Sequence, residues 1–277
     1  MAVVIEIKGS IRTDFSGIQK LYGFYMEASK HINQTIFLDF YKLNFLDGNL
    51  CALFLSMMYR LQINNNLKFS TDHEFIKNRF NVLARNGFIK LEEAISDQQK
   101  STVCLQHFHT DNLDEFLRYV EQDLMSHRGL NLKEEESYKI IDSLIEIATN
   151  IEIHSNTNEP FFACGQYYPE NGVLKFSMVD LGNGFLPAIE AKTIGQISTN
   201  FEAIEWALKN GNTTKMNEPG GLGLSDLRKY FANNNGHLQI VTGDAFWSSE
   251  FDGSRIKFQQ FGAPCLGTMI NLLFSYN

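Results

Sequence analysis

A helix predicted in the middle of the chain carries a line of polar side chains along one face. Asp142, Glu146, Asn150 and His154 follow each other at intervals of four residues, so they stack on one side of an α-helix. Most of the residues between them are apolar, which indicates a largely buried helix. A carboxylate, an amide and an imidazole in line predict a polar pocket; the alternative is an ordinary amphipathic helix whose polar stripe faces solvent.

A second candidate side chain, Asp180, ends a strand predicted over 173–180. Alternate residues from Leu174 to Met178 are apolar and share a face with Asp180. An unpaired carboxylate at the end of an apolar face is costly, so it needs a donor, such as a ligand amine or an ordered water. Gly182 and Gly184 follow and permit close backbone approach and positive φ. The alternative interpretation is a plain strand-to-turn connection.

A glycine-rich loop, GGLGL at 220–224, leads into a helix predicted over 225–231. Free backbone N–H groups at the start of a helix suit a phosphate group. The loop is not a Walker loop, because no GK[ST] follows, and it is not the dinucleotide GxGxxG that follows a first strand. A shorter element, Gly267 and Thr268, opens the last predicted strand.

The second half of the chain must position these residues. A strand over 102–108 precedes two long helices, over about 112–125 and 133–154, and about four strands come next. Between those strands, residues 185–219 show no clear period and predict a long loop. A loop of that length is more typical of a lid than of a structural connection.

The first half alternates between strands and helices. Strands are predicted over 3–8 and 34–40 and near Lys68, and helices from Asp14 to about residue 30, over 49–61 and over 73–86, with a stop at Gly87. This alternation predicts a small α/β domain with helices packed on a sheet. The polar stretch SDQQKS at 96–101 predicts the boundary between domains 1–98 and 99–277.

Together, the four motifs resemble the Bergerat-fold ATP-binding domain of the GHKL family, an α/β sandwich. They are EIATNIEIHS at 146–155, DLGNG at 180–184, GGLGL at 220–224 and the Gly267–Thr268 pair, in that order, and the resemblance covers about 102–277. The Glu-x-x-x-Asn spacing with a histidine four residues later is most similar to the serine kinases that act as anti-sigma factors. The expected fold class is α/β, of the α+β kind.

The resemblance implies ATP and Mg²⁺ as cofactors. It makes Asn150 the Mg²⁺ ligand and Glu146, one turn earlier, the catalytic general base that activates water or a protein hydroxyl. Lys215 could reach a γ-phosphate, although an exposed lysine is the preferred interpretation, and His154 is expected to pack or orient the helix.

The resemblance also implies the nucleotide contacts. Asp180 would accept a hydrogen bond from the adenine amino group with support from Thr268, and residues 185–219 would form the ATP lid. The glycines of the two loops would let the backbone approach the nucleotide and hold its phosphates. The expected cofactor-binding residues are Asn150, Asp180, Gly182, Gly184, Gly221, Gly223 and Thr268.

The first half resembles a STAS domain, the fold of anti-sigma factor antagonists. The resemblance rests on residues 3–12, the helix after Asp14, TIFLDF at 35–40 and FLDGNL at 45–50, and extends to about residue 91. In that family an Asp-Ser pair at the start of the second helix carries the phosphorylated serine. Here Asp47 is followed by Gly48, which has no hydroxyl, so a docking or sensing role is expected instead.

The two resemblances imply an Mg²⁺-ATP-binding regulatory protein of the bacterial partner-switching type, whose ATP state controls association with another protein. Serine/threonine phosphorylation of that partner is compatible with Glu146. Two alternatives stay open: a self-contained ATPase that uses hydrolysis for lid closure and dimerisation, and a nucleotide-binding interaction module without turnover. A homodimer is compatible with each of them.

The amino-acid composition limits the classes of partner that are expected. The net charge of −8 argues against a general basic field that holds nucleic acid or anionic lipid. The longest apolar run, 50–58, is far shorter than the roughly 20 residues of a membrane span, so a soluble, cytoplasmic protein is expected. The four widely separated cysteines are expected to be reduced thiols. His107 and His109 could hold zinc, but exposed strand histidines are the preferred interpretation.

Overall fold

The structure is a computed structural model that describes residues 2–90, 97–154, 159–213, 222–249 and 258–275. Helices and strands alternate through both halves of the chain, so the mixed α/β class of the α+β kind is confirmed. The N-terminal unit comprises residues 2–90, and the C-terminal unit comprises the described residues from 97 to 275.

The N-terminal unit has the alternation that the sequence predicts. Its elements are β1 (Val3–Glu6), β2 (Gly9–Ile11), α1 (Phe15–Ala28), β3 (Thr35–Asp39), β4 (Leu43–Leu46), α2 (Cys51–Asn65), β5 (Lys68–Thr71), α3 (His73–Arg79) and α4 (Val82–Arg85). Strands β1, β3 and β5 form a parallel sheet with β3 in the centre, and β2 pairs with β4 in parallel. The single helix predicted over 73–86 is wrong, because the backbone of Phe80 leaves the helical region (φ −131°, ψ 48°).

Side-chain caps and one glycine explain where the N-terminal helices begin. The Asp14 carboxylate accepts a hydrogen bond from the Gly17 N–H at 2.7 Å, which satisfies a free donor in the first turn of α1. A Cβ on Gly17 would collide with the backbone of Arg12, so only glycine fits at this close approach. Asp72 caps α3 in the same way, at 2.9 Å from the N–H of Phe75.

The C-terminal unit contains a seven-stranded antiparallel sheet in the order β11-β10-β9-β12-β8-β7-β6. Its elements are β6 (Thr102–Phe108), α5 (Leu113–Tyr119), α6 (Glu134–His154), β7 (Phe161–Tyr168), β8 (Val173–Val179), α7 (Leu186–Lys192), α8 (Asn200–Ala207), α9 (Gly223–Asn233), β9 (Gly236–Thr242), β10 (Ala245–Ser248), β11 (Phe258–Gln260) and β12 (Thr268–Ser275). A wider helical turn, Val120–Met125, extends α5.

Both faces of this sheet are covered. Alternate residues of β7 belong to two different hydrophobic clusters. Phe161 and Ala163 pack with residues of α5, α6 and α9, whereas Phe162 and Cys164 pack with the N-terminal unit. The apolar face predicted from Leu174 to Met178 lies on the helical side. The molecule therefore has three layers, with the sheet between the helices and the N-terminal unit.

A ring of buried polar side chains joins the N-terminal unit to the sheet. Thr13 donates from Oγ1 towards Asn49 at 3.0 Å, and the Asn49 amide donates to Ser177 Oγ at 2.7 Å. Ser177 donates to Asn271 at 2.6 Å. The Asn271 amide donates to Gln239 at 3.3 Å, and the Gln239 amide donates to the Thr13 carbonyl at 3.3 Å, which closes the ring. Because each member has a partner, the ring fixes one docking position.

The buried carboxylate of Asp47 adds a charged contact beside this ring. It accepts hydrogen bonds from the Thr13 N–H at 2.6 Å and the Tyr168 hydroxyl at 2.5 Å, and the ammonium of Lys175 lies 2.8 Å away. The next residue, Gly48, donates its N–H to Gln166 at 2.6 Å, and a Cβ there would collide with the same side chain. The loop at 47–48 is thus packed against β7 and β8.

Removal of the Lys175 charge tests whether this contact holds the two units together. Lys175→Met leaves a buried carboxylate without its cation, so we expect a loss of about 3 kcal/mol in the free energy of unfolding. Lys30→Met breaks an exposed lysine–glutamate pair and is the matched control, with an expected loss below about 1 kcal/mol. Urea unfolding followed by circular dichroism measures both, and equal losses would contradict this role for Lys175.

Candidate functional site

A pocket opens where β8 ends and β12 begins, beside α6, α7 and α8. It spans about 830 Å³ of space between protein atoms, the open solvent at its mouth included. Five residues that the sequence singles out line it together: Glu146, Asn150, Asp180, Gly184 and Thr268. They come from one helix and the ends of two strands that are neighbours in the sheet, so the fold and not sequence proximity brings them together.

Asp180 is the buried acid of this pocket. Its side chain accepts a hydrogen bond from the Gly182 N–H at 2.7 Å, and its own N–H donates to the Thr268 carbonyl at 2.9 Å. Burial raises the pKa of this carboxyl from an ordinary value of 3.8 to about 6, and the hydrogen bonds from Gly182 and Thr268 oppose the rise only in part. The carboxylate is thus a strong acceptor in a site that penalises its charge.

Two glycines, Gly184 and Gly267, allow close contacts between the backbone segments around Asp180. Gly184 has φ 76°, and a Cβ there would lie 2.5 Å from Thr242 Oγ1. Gly267 has φ 62°, and a Cβ there would collide with the Asp180 carbonyl. A larger residue at either position would push the two segments apart.

Thr242 is a site residue that the sequence analysis missed. Its hydroxyl accepts a hydrogen bond from the Phe185 N–H at 3.2 Å and lies 3.3 Å from Thr268 Oγ1. It is fully buried at the end of β9. A threonine at the end of a strand carries no motif, so only the sheet order reveals its place.

Glu146 contacts the first residues of α9. Its carboxylate accepts hydrogen bonds from the N–H of Gly223 at 2.7 Å and from the N–H of Leu222 at 3.3 Å. A Cβ on Gly223 would lie 3.0 Å from the Ser143 carbonyl, so glycine lets α9 approach α6 closely. The carboxylate thus occupies an anion-binding helix N-terminus. Gly221 and Lys215, the other candidates of this loop, lie outside the described residues.

The polar stripe of α6 faces the pocket over part of its length. Glu146 and Asn150 line the pocket on consecutive turns, whereas Asp142 is exposed to solvent. The side chain of His154 lies outside the described residues. A carboxylate and an amide oxygen on adjacent turns are the donor types that Mg²⁺ accepts in proteins.

The expectation of a loop without regular structure over 185–219 is wrong for its described part, 185–213. Helices α7 and α8 lie there, and α8 has a reciprocal capping box between Thr199 and Glu202. That Thr-x-x-Glu spacing is readable in the sequence and was the missed signal. Trp206 of α8 lines the pocket, and Glu205 accepts a hydrogen bond from Trp247 of β10 at 2.6 Å, which holds the helix against the sheet.

Three further predictions concern the histidine pair, the cysteines and membrane-spanning helices. His107 and His109 are both exposed, and the described residues contain no group of three or more histidine, cysteine, aspartate or glutamate side chains that could hold a metal ion. All four cysteines are free thiols. No helix in the described part of the chain is long and apolar enough to cross a membrane.

In comparisons with protein-family models, curated proteins and solved structures, none matched this chain. The assignment of the pocket therefore depends on its own residues and their geometry.

The raised pKa of Asp180 predicts a pH-dependent cost in stability. Since the folded protein holds this proton up to about pH 6 and the unfolded chain loses it near 3.8, wild-type stability falls as the pH rises through that window. Asp180→Asn removes this cost. We expect the stability difference, variant minus wild type, to grow by about 2 kcal/mol between pH 4 and pH 7 in urea unfolding. A difference that does not change with pH would contradict the raised pKa.

Proposed function

We propose that this pocket binds Mg²⁺-ATP and that the protein is an ATP-binding regulator of the partner-switching type. In this proposal the C-terminal unit is a Bergerat-fold domain and the N-terminal unit is STAS-like. The observation that carries the proposal is the convergence of Glu146, Asn150, Asp180 and Thr268 around one pocket. Three of the four motifs, far apart in sequence, supply these residues, and they meet at one end of the sheet.

Asp180 supports recognition of adenine. A buried carboxylate can accept a hydrogen bond from the exocyclic amino group of adenine, and this donor offsets part of its desolvation cost. Guanine has a carbonyl oxygen at the equivalent position, which the carboxylate would repel. Apolar walls at Ile147, Ile151 and Ile189 suit a flat heterocycle. The site is therefore expected to prefer ATP over GTP.

Glu146 and Asn150 support binding and activation at the phosphate end. The Asn150 side chain would supply an oxygen ligand for Mg²⁺, which neutralises phosphate charge when bound. The N–H groups of Leu222 and Gly223 now donate to Glu146, and phosphate oxygens are natural competitors for the same donors. When these N–H groups bind phosphate instead, the Glu146 carboxylate can accept a proton from water or from a protein hydroxyl.

Regulation by association with another protein is supported by the two resemblances and by the position of Gly48. The residue that carries a phosphorylated serine in the STAS family is here a glycine whose N–H is bound to Gln166. The N-terminal unit is therefore proposed as a fixed regulatory layer, and the partner is expected to contact another surface.

Calorimetric titration with ATP tests the proposed site. Asp180→Asn should weaken ATP binding by about tenfold and reduce the preference over GTP, because the base loses its charged acceptor. Asn150→Ala should remove the part of the affinity that depends on Mg²⁺ and leave binding in EDTA unchanged. Asp142→Asn, on the same helix but exposed, is the matched control and should bind like the wild type. Absence of ATP binding to the wild type would contradict the proposal.

Glu146→Gln separates binding from turnover. With γ-labelled ATP, release or transfer of phosphate should fall by about 10²-fold or more, because the general base is lost. Binding should be equal or tighter, since a neutral amide oxygen competes less strongly than a carboxylate for the α9 N–H groups. Free phosphate from the wild type would indicate a self-contained ATPase, and labelled protein a kinase. Equal phosphate release by wild type and Glu146→Gln would contradict the assigned role.

A further inference from the structure

Arg60 of the N-terminal unit contacts the backbone that carries the buried acid of the pocket. It lies on α2, and its Nη2 atom donates to the Leu181 carbonyl at 2.6 Å. Leu181 is buried and follows Asp180 directly. The same guanidinium forms an ion pair with Glu159, which lies between α6 and β7. One side chain thus connects the base end of the pocket to the segment that follows the helix of Glu146 and Asn150.

Tyr22 makes a parallel contact from α1. Its hydroxyl donates to the Leu266 carbonyl at 3.3 Å, and Leu266 precedes Gly267 and Thr268. The Tyr22 ring also packs on Phe261, with ring centroids 5.8 Å apart. The two segments held in this way are the ones that interlock around Asp180, where the Thr268 carbonyl accepts the Asp180 N–H.

We propose that Arg60 and Tyr22 are positioning residues of the nucleotide pocket, so that the N-terminal unit completes the base-binding end of the site from behind. Arg60 donates to the carbonyl of Leu181, one residue from Asp180, and Tyr22 donates to the carbonyl of Leu266, two residues from Thr268. Neither Arg60 nor Tyr22 lines the pocket itself. Their contacts set the backbone position from which Asp180 and Thr268 project. The inference rests on the proposed function, because it assigns these contacts to the same site.

The chemistry of the Arg60 site favours positioning over simple stabilisation. A largely buried guanidinium is costly unless its donors are satisfied. Within the described residues, the Nε–H of Arg60 has no hydrogen-bond partner, although the Nη2 atom serves two acceptors. An apolar side chain would pack at this place without that cost. An apolar side chain cannot donate a hydrogen bond to the Leu181 carbonyl, which lies beyond the end of β8.

The positioning role has a consequence for regulation. A ligand or partner that shifts α1 or α2 would move the two carbonyls and so change nucleotide affinity. By thermodynamic reciprocity, nucleotide binding would change the affinity for that partner by the same factor. The N-terminal unit could then control the pocket without a phosphorylated residue of its own.

The test compares Arg60→Met, Arg60→Lys and Tyr22→Phe with Lys175→Met. Lys175 is also a contact between the two units, but it lies five residues from Asp180 along β8, or about 16 Å. Affinities for ATP, adenosine and GTP are measured by calorimetry at a temperature where each variant is folded. We expect Arg60→Met to weaken the binding of ATP and of adenosine by a similar factor of about ten. The preference for ATP over GTP should also decrease.

The conservative variants sharpen the result. Arg60→Lys keeps one donor and should recover part of the affinity, and Tyr22→Phe, which keeps the ring, should weaken ATP by about threefold. Lys175→Met should lower the unfolding midpoint and leave the ATP affinity within about twofold of the wild type. Unchanged affinity in folded Arg60→Met, or an equal loss in Lys175→Met, would overturn the proposal.

A ligand-free readout separates this inference from the proposed function. The side-chain carboxyl of Asp180 can be titrated by ¹³C NMR in the apo protein. We expect its midpoint to move by about half a pH unit in Arg60→Met and to stay constant in Lys175→Met, because only the first changes its surroundings. If the wild type binds no ATP but this difference is present, the proposed function fails and the positioning role stands. If the midpoint does not move, the positioning role fails on its own.

Discussion

The seven-stranded sheet is covered on both faces, and this constraint governs the rest of the structure. Its helical side buries mainly apolar residues, whereas its other side presents Ser177, Gln239 and Asn271 to the N-terminal unit. Buried polar groups are costly unless paired. Thr13 and Asn49 provide the pairing, so the two units fit in one arrangement. A hydrophobic cluster shared by both units surrounds this polar centre.

The order of the strands in this sheet creates the pocket. Antiparallel pairing sets Val179 opposite Met269, so the end of β8 and the start of β12 lie side by side. Asp180 and Thr268 therefore meet at one edge of the sheet. Helix α6 adds a carboxylate and an amide from one face, and α7 and α8 form the remaining wall. Contacts from α1 and α2 reach the same edge from behind, so docking of the N-terminal unit and the geometry of the pocket are physically linked.

Local sequence patterns predict much of the fold around the pocket. The four-residue period of Glu146 and Asn150 and the alternation before Asp180 follow from helix and strand geometry, and both patterns survive in the structure. The helices within 185–213 were missed because they are short and their apolar faces are narrow. Thr242 and Arg60 carry no local motif, since their roles depend on strand order and on packing between units. Long-range pairing of this kind leaves no period in the sequence.

The position of a bound nucleotide is the most direct test of the proposed site, and a crystal structure with Mg²⁺ and a non-hydrolysable ATP analogue measures it. We expect density in the pocket between α6 and the end of the sheet formed by β8 and β12, with the adenine amino group within hydrogen-bond distance of Asp180 and Mg²⁺ bound by Asn150. A nucleotide bound elsewhere, or an adenine ring turned away from Asp180, would contradict the assignment of the site.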